Sequence, residues 1–142
     1  MIKTFRGRVA DNGKTQVRLS TKQGLVGYKI KKFQGISYEI ATSTEAHVFK
    51  VYSVNPSTVT GTVNFDSPTL LAVCYFTNRS DELQNNMNII IFDDKIINQD
   101  IYITHVDVQA SAQANFYLEL EQVKLDINEA TVATLKDMRG NQ

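Results

Sequence analysis

The residues suited to chemistry are few. Two histidines, His47 and His105, and one cysteine, Cys74, stand among 142 residues. His105 with Asp107, and with Asp93, Asp94 and Asp100 upstream, makes the one carboxylate–imidazole cluster in the sequence. A metal centre asks for a rigid convergence such as HxH or HExxH, which this stretch lacks. His47 lies in a strand-like segment and reads as a partly buried or surface histidine. Cys74 sits in the unbroken apolar run Thr69–Thr77, where a thiol behaves as a small hydrophobe and not as a nucleophile. Glu119 and Glu121, two apart on a strand, stand side by side; a glycosidase pair faces across a cleft. No glycine-rich phosphate loop and no GxSxG elbow occurs. The expectation is a protein that is not an enzyme, with no cofactor and no metal.

The basic residues suggest binding instead. Residues 1–50 carry ten Lys/Arg and three Asp/Glu, and residues 51–142 carry five and twelve, so the halves have charges of +7 and −7. Such asymmetry suits head-to-tail contacts between copies or a basic face turned to a polyanion. Arg6, Arg8, Lys14 and Arg18 fall at alternate positions around Asp11-Asn12-Gly13, and Lys29, Lys31 and Lys32 follow. These seven are the expected interaction face. Asp93, Asp94, Asp100, Glu119 and Glu121 are its expected acidic partners, in the same subunit or the next. Single-strand nucleic-acid binders add stacking aromatics to a basic groove. No aromatic shares the parity of these strands, so an acidic protein surface is favoured over nucleic acid.

The elements that must position these residues read as strands. By count, 13 Val, 12 Ile and 13 Thr make over a quarter of the chain β-branched, which favours sheet. Asn12-Gly13 tolerates positive φ and predicts a hairpin joining Lys3–Ala10 to Lys14–Ser20. Phe5 and Val9, then Thr15, Val17 and Leu19, would form its apolar face. Tyr28–Phe33 alternates until Phe33 breaks parity, which predicts a bulge or strand end. Ile36–Ile40, Ala46–Val54, Thr58–Phe65, Thr69–Thr77, Asn88–Phe92, Lys95–Ile97, Ile101–Val108 and Asn115–Leu125 are further candidates. Thr69–Thr77 reads as a central strand covered on both faces, Asn88–Phe92 as short and buried, and Asn115–Leu125 as the longest. Val123 and Leu125 leave its core parity, predicting a bulge near Gln122 or a change of covering. Beyond it, Asn128 reads as an N-cap, Gly140 as a stop, and Val132, Leu135 and Met138 as the apolar stripe of a short helix.

Eight or nine short strands with no βαβ alternation predict an all-β fold, an antiparallel β-sandwich of jelly-roll or Greek-key type with a short C-terminal helix. Residues 1–125 would form the sandwich and 126–142 a helix or arm. No apolar run is long enough for a transmembrane helix and the N-terminus has no signal core, so no membrane partner is expected.

Two stretches resemble small structural proteins of marine bacteriophage virions. One is Gly27-Tyr-Lys-Ile-Lys-Lys-Phe-Gln34. The other is Asn98-Gln-Asp-Ile-Tyr-Ile-Thr-His105 with Asn115-Phe-Tyr-Leu-Glu-Leu-Glu121 and Glu129-Ala-Thr-Val-Ala-Thr-Leu-Lys-Asp-Met-Arg139. The resemblance implies a β-sandwich capsid subunit, located in the virion, whose partners are copies of itself and other virion proteins. It carries no catalytic residue and leaves shell, vertex, cement and tail positions open. The alternatives are a carbohydrate- or receptor-binding module of a phage tail and, ranked below it, a single-strand nucleic-acid-binding domain.

Overall fold

The computed structural model describes residues 1–20, 25–40, 44–78, 87–92 and 95–126, together with Glu129, Thr131, Val132, Thr134 and Leu135. Eight strands follow in chain order: β1 Ile2–Val9, β2 Gly13–Val17, β3 Val26–Ser37, β4 Glu45–Tyr52, β5 Leu70–Asn78, β6 Met87–Ile91, β7 Ile101–Asp107 and β8 Ala114–Lys124. They form two antiparallel sheets, ordered β1-β8-β3 and β2-β7-β4-β5-β6.

One core joins the sheets. Phe33 of the first meets Phe49 of the second edge-on at 6.2 Å between ring centres, and Phe116 lies 6.3 Å from Phe49. Leu118 and Leu120 of β8, Ile101 and Ile103 of β7, and Val51 of β4 are sealed from solvent in the same cluster. The strand parities put them there: Phe116, Leu118 and Leu120 face inward, while Tyr117, Glu119 and Glu121 face out. At Gly35 the first sheet packs tightly on the second: a Cβ there would lie 2.5 Å from Phe76 Cε1. A side chain there would collide with the opposite sheet.

The first turn departs from the expected hairpin. Gly13 N–H donates to Ala10 O at 3.0 Å and Asn12 has φ 58, so the tight turn exists. A Cβ on Gly13 would lie 2.9 Å from Ala10 O, which explains the glycine. The strands on either side do not pair with each other. β1 pairs with β8, and β2 pairs with β7 in the other sheet. The turn is a corner at which the chain changes sheets. The reason is burial: Phe5 and Val9 reach the shared core from one sheet and Val17 from the other, so both strands bury their apolar parity without lying side by side.

Several other expectations shift. β3 runs unbroken through Ile36, with its bulge between Ile30 and Lys32, where Phe33 regains the core parity. β3 has 12 residues and β8 has 11, so β8 is not the longest strand. β8 has no register shift near Gln122; Leu125 instead joins Leu25, Ile96 and Val123 in a small second cluster. β5 is covered on both faces as expected, with a bulge between its β4 partners Val51 and Tyr52 that brings Leu71, not Leu70, into the main core. β6 is an edge strand with Asn88 and Ile90 exposed, not a buried one. Thr58–Phe65 forms no strand. Lys50, buried on the outward face of β4, donates to Thr62 O at 2.6 Å and pins that segment across the sheet. The stretch Lys95–Ile97 contributes one antiparallel bridge, Tyr28 to Ile97. Asn128, Met138 and Gly140, on which the helix expectation largely rests, lie outside the described residues.

Candidate functional site

β4 and β7 are neighbours with His47 opposite Asp107 and Phe49 opposite His105. Both strands turn the same parity inward, so Glu45, His47, His105 and Asp107 meet at one end of the core, all buried. His47 is packed between Phe76, at 4.9 Å, and the His105 ring, at 5.0 Å.

A chain of hydrogen bonds links the group. His105 Nδ1 lies 3.1 Å from Ala10 O, His105 Nε2 lies 2.7 Å from His47 Nδ1, and His47 Nε2 lies 2.6 Å from Glu45 Oε1. A carbonyl can only accept, so His105 Nδ1 donates. Burial pushes the His105 pKa down, reinforced by His47, against the pull of the Ala10 carbonyl and the Asp11 and Asp107 carboxylates. With Nδ1 donating to the carbonyl and burial favouring the uncharged ring, His105 Nε2 accepts from His47 Nδ1, and His47 Nε2 faces Glu45 Oε1.

Asp107 is held apart from that chain. Burial would raise its pKa, but backbone N–H groups of Gln109, Ala112, Ala46 and Ala110 donate to its carboxylate and lower it on balance. It orders the β7–β8 connection, while Asp11 accepts from the Asp107 N–H at 2.7 Å. Beside the group opens a pocket of about 370 Å³, with Tyr38, Glu39, Glu45 and Ser111 in its wall.

Sequence reasoning paired His105 with Asp107 and set His47 aside; the fold unites them and adds Glu45. The available signal was the two motifs Glu-x-His and His-x-Asp, each placing both polar groups on one strand face. Asp93 and Asp94 lie outside the described residues, and Asp100 sits elsewhere, accepting from Gln16 at 2.7 Å and from the Leu19 and Ser20 amides.

The expected basic face divides in two. Arg6 and Arg8 are on the outward face of the three-stranded sheet, with Lys32 on its other edge strand and Lys29 half-buried there. Lys14 and Arg18 belong to the other sheet's side, and Lys14 is engaged by Asn55 Oδ1 at 2.7 Å and Pro56 O at 2.9 Å. Four like charges therefore do not share one face. On the three-stranded sheet the middle strand supplies acids: Glu119 stands between Thr4 and Lys32, and Glu121 between Ile2 and Lys29. Lys31 pairs with Glu121 at 3.1 Å and holds that carboxyl below its ordinary range. Aromatics join this face as well, contrary to the expectation. Tyr117 stands between Arg6 and Gln34, and the Arg8 guanidinium lies 4.8 Å from the Tyr38 ring centre.

No family model, no curated protein and no solved structure matches this chain.

Proposed function

We propose that the chain is a jelly-roll structural subunit of a virion, acting through contacts with copies of itself and with other virion proteins and performing no catalysis. The observation that carries this reading is the outward face of the three-stranded sheet. It holds Arg6 and Arg8 on one strand, Glu119 and Glu121 on the next, and Lys29 and Lys32 on the third. Rows of opposite sign give a surface that a second, suitably offset copy can complement and that selects register.

Strand order supports the architecture. β1 pairs with β8, β2 with β7 and β4 with β5, while β3 meets the Ile97 segment that follows β6. These pairs nest one inside another, as when a long antiparallel hairpin is rolled into two sheets. Such double-sheet rolls recur in capsid and lectin domains. A C-terminal helical arm fits the same reading: Asp126 Oδ1 accepts from the Glu129 amide at 2.7 Å in the manner of an N-cap, and Asn98 Nδ2 donates to Thr134 Oγ1 at 2.8 Å.

The single-strand nucleic-acid reading gains from Tyr117 and Tyr38 beside the arginines. Against it, Glu119 and Glu121 run down the middle of the same face and would repel a phosphate backbone. The test is the mass of the purified protein in solution at low and high salt. A defined multi-copy assembly that loosens as salt rises is expected. A strict monomer at high concentration and low salt overturns the proposal.

A further inference from the structure

Among the described residues, Glu45, His47 and Asp107 each offer a ligand atom, and these atoms lie within 4.8 Å of one another in a buried group. We propose that they form a binding site for one divalent transition-metal ion of the zinc class, seated among the three side chains.

The imidazole is already prepared for this role. A metal-bound histidine is oriented by a hydrogen bond donated from its other ring nitrogen. His47 Nδ1 has such a partner in His105 Nε2 at 2.7 Å, and His105 is in turn fixed by Ala10 O. The arrangement directs Nε2 of His47 at Glu45. Asp107 is oriented by four backbone amides, three on Oδ1 and one, from Ala112, on Oδ2, which leaves Oδ2 with capacity to coordinate.

Charge suits the dication: the carboxylates of Glu45 and Asp107 and one divalent ion sum to zero, as a buried site requires. The geometry needs a modest adjustment. Ligand atoms around a tetrahedral zinc stand about 3.3 Å apart at zinc–ligand lengths of about 2.0 Å. The 2.6 Å contact between Glu45 and His47 must open and the wider separations in the group, up to 4.8 Å, must close, with the Glu45 side chain at the wall of the pocket of about 370 Å³. The pocket reaches the group at Glu45, the side from which an ion would enter. A nitrogen donor beside two carboxylates favours zinc over magnesium, which prefers oxygen alone.

His47 and His105 are the chain's only histidines, so imidazole-dependent binding has one possible location. The full chain, stripped with a chelator, is to be titrated with Zn2+ and, separately, with Co2+ to read the d–d absorption of a nitrogen- and oxygen-ligated site. Expected are one Zn2+ retained per chain through gel filtration, a raised melting temperature, and no displacement by excess Mg2+. Glu45→Gln preserves shape and should weaken Zn2+ binding about tenfold or more; His47→Asn should abolish it. Circular dichroism reports whether each variant folds, and if His47→Asn does not, Glu45→Gln decides. Failure of the wild-type chain to retain Zn2+, or equal affinity in the folded variants, overturns the proposal.

Discussion

Tyr28 and Ile97 exchange both backbone hydrogen bonds, Tyr28 N–H to Ile97 O at 2.7 Å and Ile97 N–H to Tyr28 O at 2.8 Å. This single bridge ties the connection after β6 to the edge of β3, and Ile97 puts its side chain wholly into the core. Ile97→Ala should therefore cost about 2–5 kcal/mol, as other buried large-to-small changes do. Urea unfolding measures it. A loss under about 1 kcal/mol would mean that the segment is an appendage and not part of the core.

Gly35 of β3 packs directly against Phe76 of the opposite sheet. Gly35→Ala places a methyl 2.5 Å from Phe76 Cε1 and 3.2 Å from Phe49 Cδ2. Overpacking of this kind costs about 1–3 kcal/mol. Phe76→Leu, destabilising by itself, should recover part of that cost when combined with Gly35→Ala, because it removes the colliding edge. A double-mutant cycle reads the coupling, and strict additivity would show that the backbones move apart instead.

How far the sequence reveals this fold depends on what each signal reports. Alternation reports which side of a strand is buried, so Phe116, Leu118 and Leu120 against Tyr117, Glu119 and Glu121 were legible. Alternation does not report which strand lies alongside. Asn12-Gly13 fits a corner between sheets as well as a hairpin turn, and the choice between them is made by distant β7 and β8. For the same reason Glu45 and His47 could not be joined to His105 and Asp107, since 58 positions separate the histidines. Thr58–Phe65 has strand composition, but its polar contacts go to Lys50 and no sheet edge receives it.

Asp100 closes the junction between the end of β2 and the start of β7. Burial would raise its pKa, but the Ser20 and Leu19 amides, the Ser20 hydroxyl and the Gln16 side chain together lower it. The folded state thus favours the ionised form, and the unfolded chain takes up the proton first as pH falls. The stabilisation is complete above the ordinary carboxylate value of 3.8 and disappears as pH drops through the lower folded value. Asp100→Asn should cost about 1–3 kcal/mol at neutral pH, from lost charge-assisted hydrogen bonds. It should also reduce the fall in urea midpoint between neutral pH and about pH 3. An unchanged pH dependence would contradict this account.

Cys74 is fully buried, and burial pushes its thiol up to about 11 despite the Gly35 backbone contact. Thiolate is the reactive form, so labelling of the folded protein near pH 8 should be slow and limited by opening. Leu71→Ala, also in the core, should cost about 2–5 kcal/mol and accelerate labelling in proportion to the stability lost. Rapid labelling of the wild-type chain would show that β5 opens without global unfolding.

The division of the basic residues between two sheets makes the assembly proposal specific to one face. Arg6 and Arg8 project from the three-stranded sheet opposite Tyr117 and Asn115, on the face that also carries Glu119 and Glu121, whereas Arg18 lies beyond the end of β2 at the other sheet. Both arginines are exposed, so the Arg6→Glu, Arg8→Glu double variant should fold with little change in stability. It removes the positive row and should weaken multi-copy assembly about tenfold or more, through rim charges that steer and register contacts. Arg18→Glu, a single charge reversal at the other sheet, is the positional control and should assemble as the wild type does. Lys14 is left unchanged because its ammonium holds Asn55 and Pro56. Sedimentation of the three proteins across a salt series gives the comparison. Equal weakening by Arg18→Glu would place the contact on the five-stranded sheet or in the net charge alone. Normal assembly of the double variant, with lost affinity for single-stranded DNA or RNA, would instead assign Arg6 and Arg8 to a polyanion and Tyr117 to base stacking.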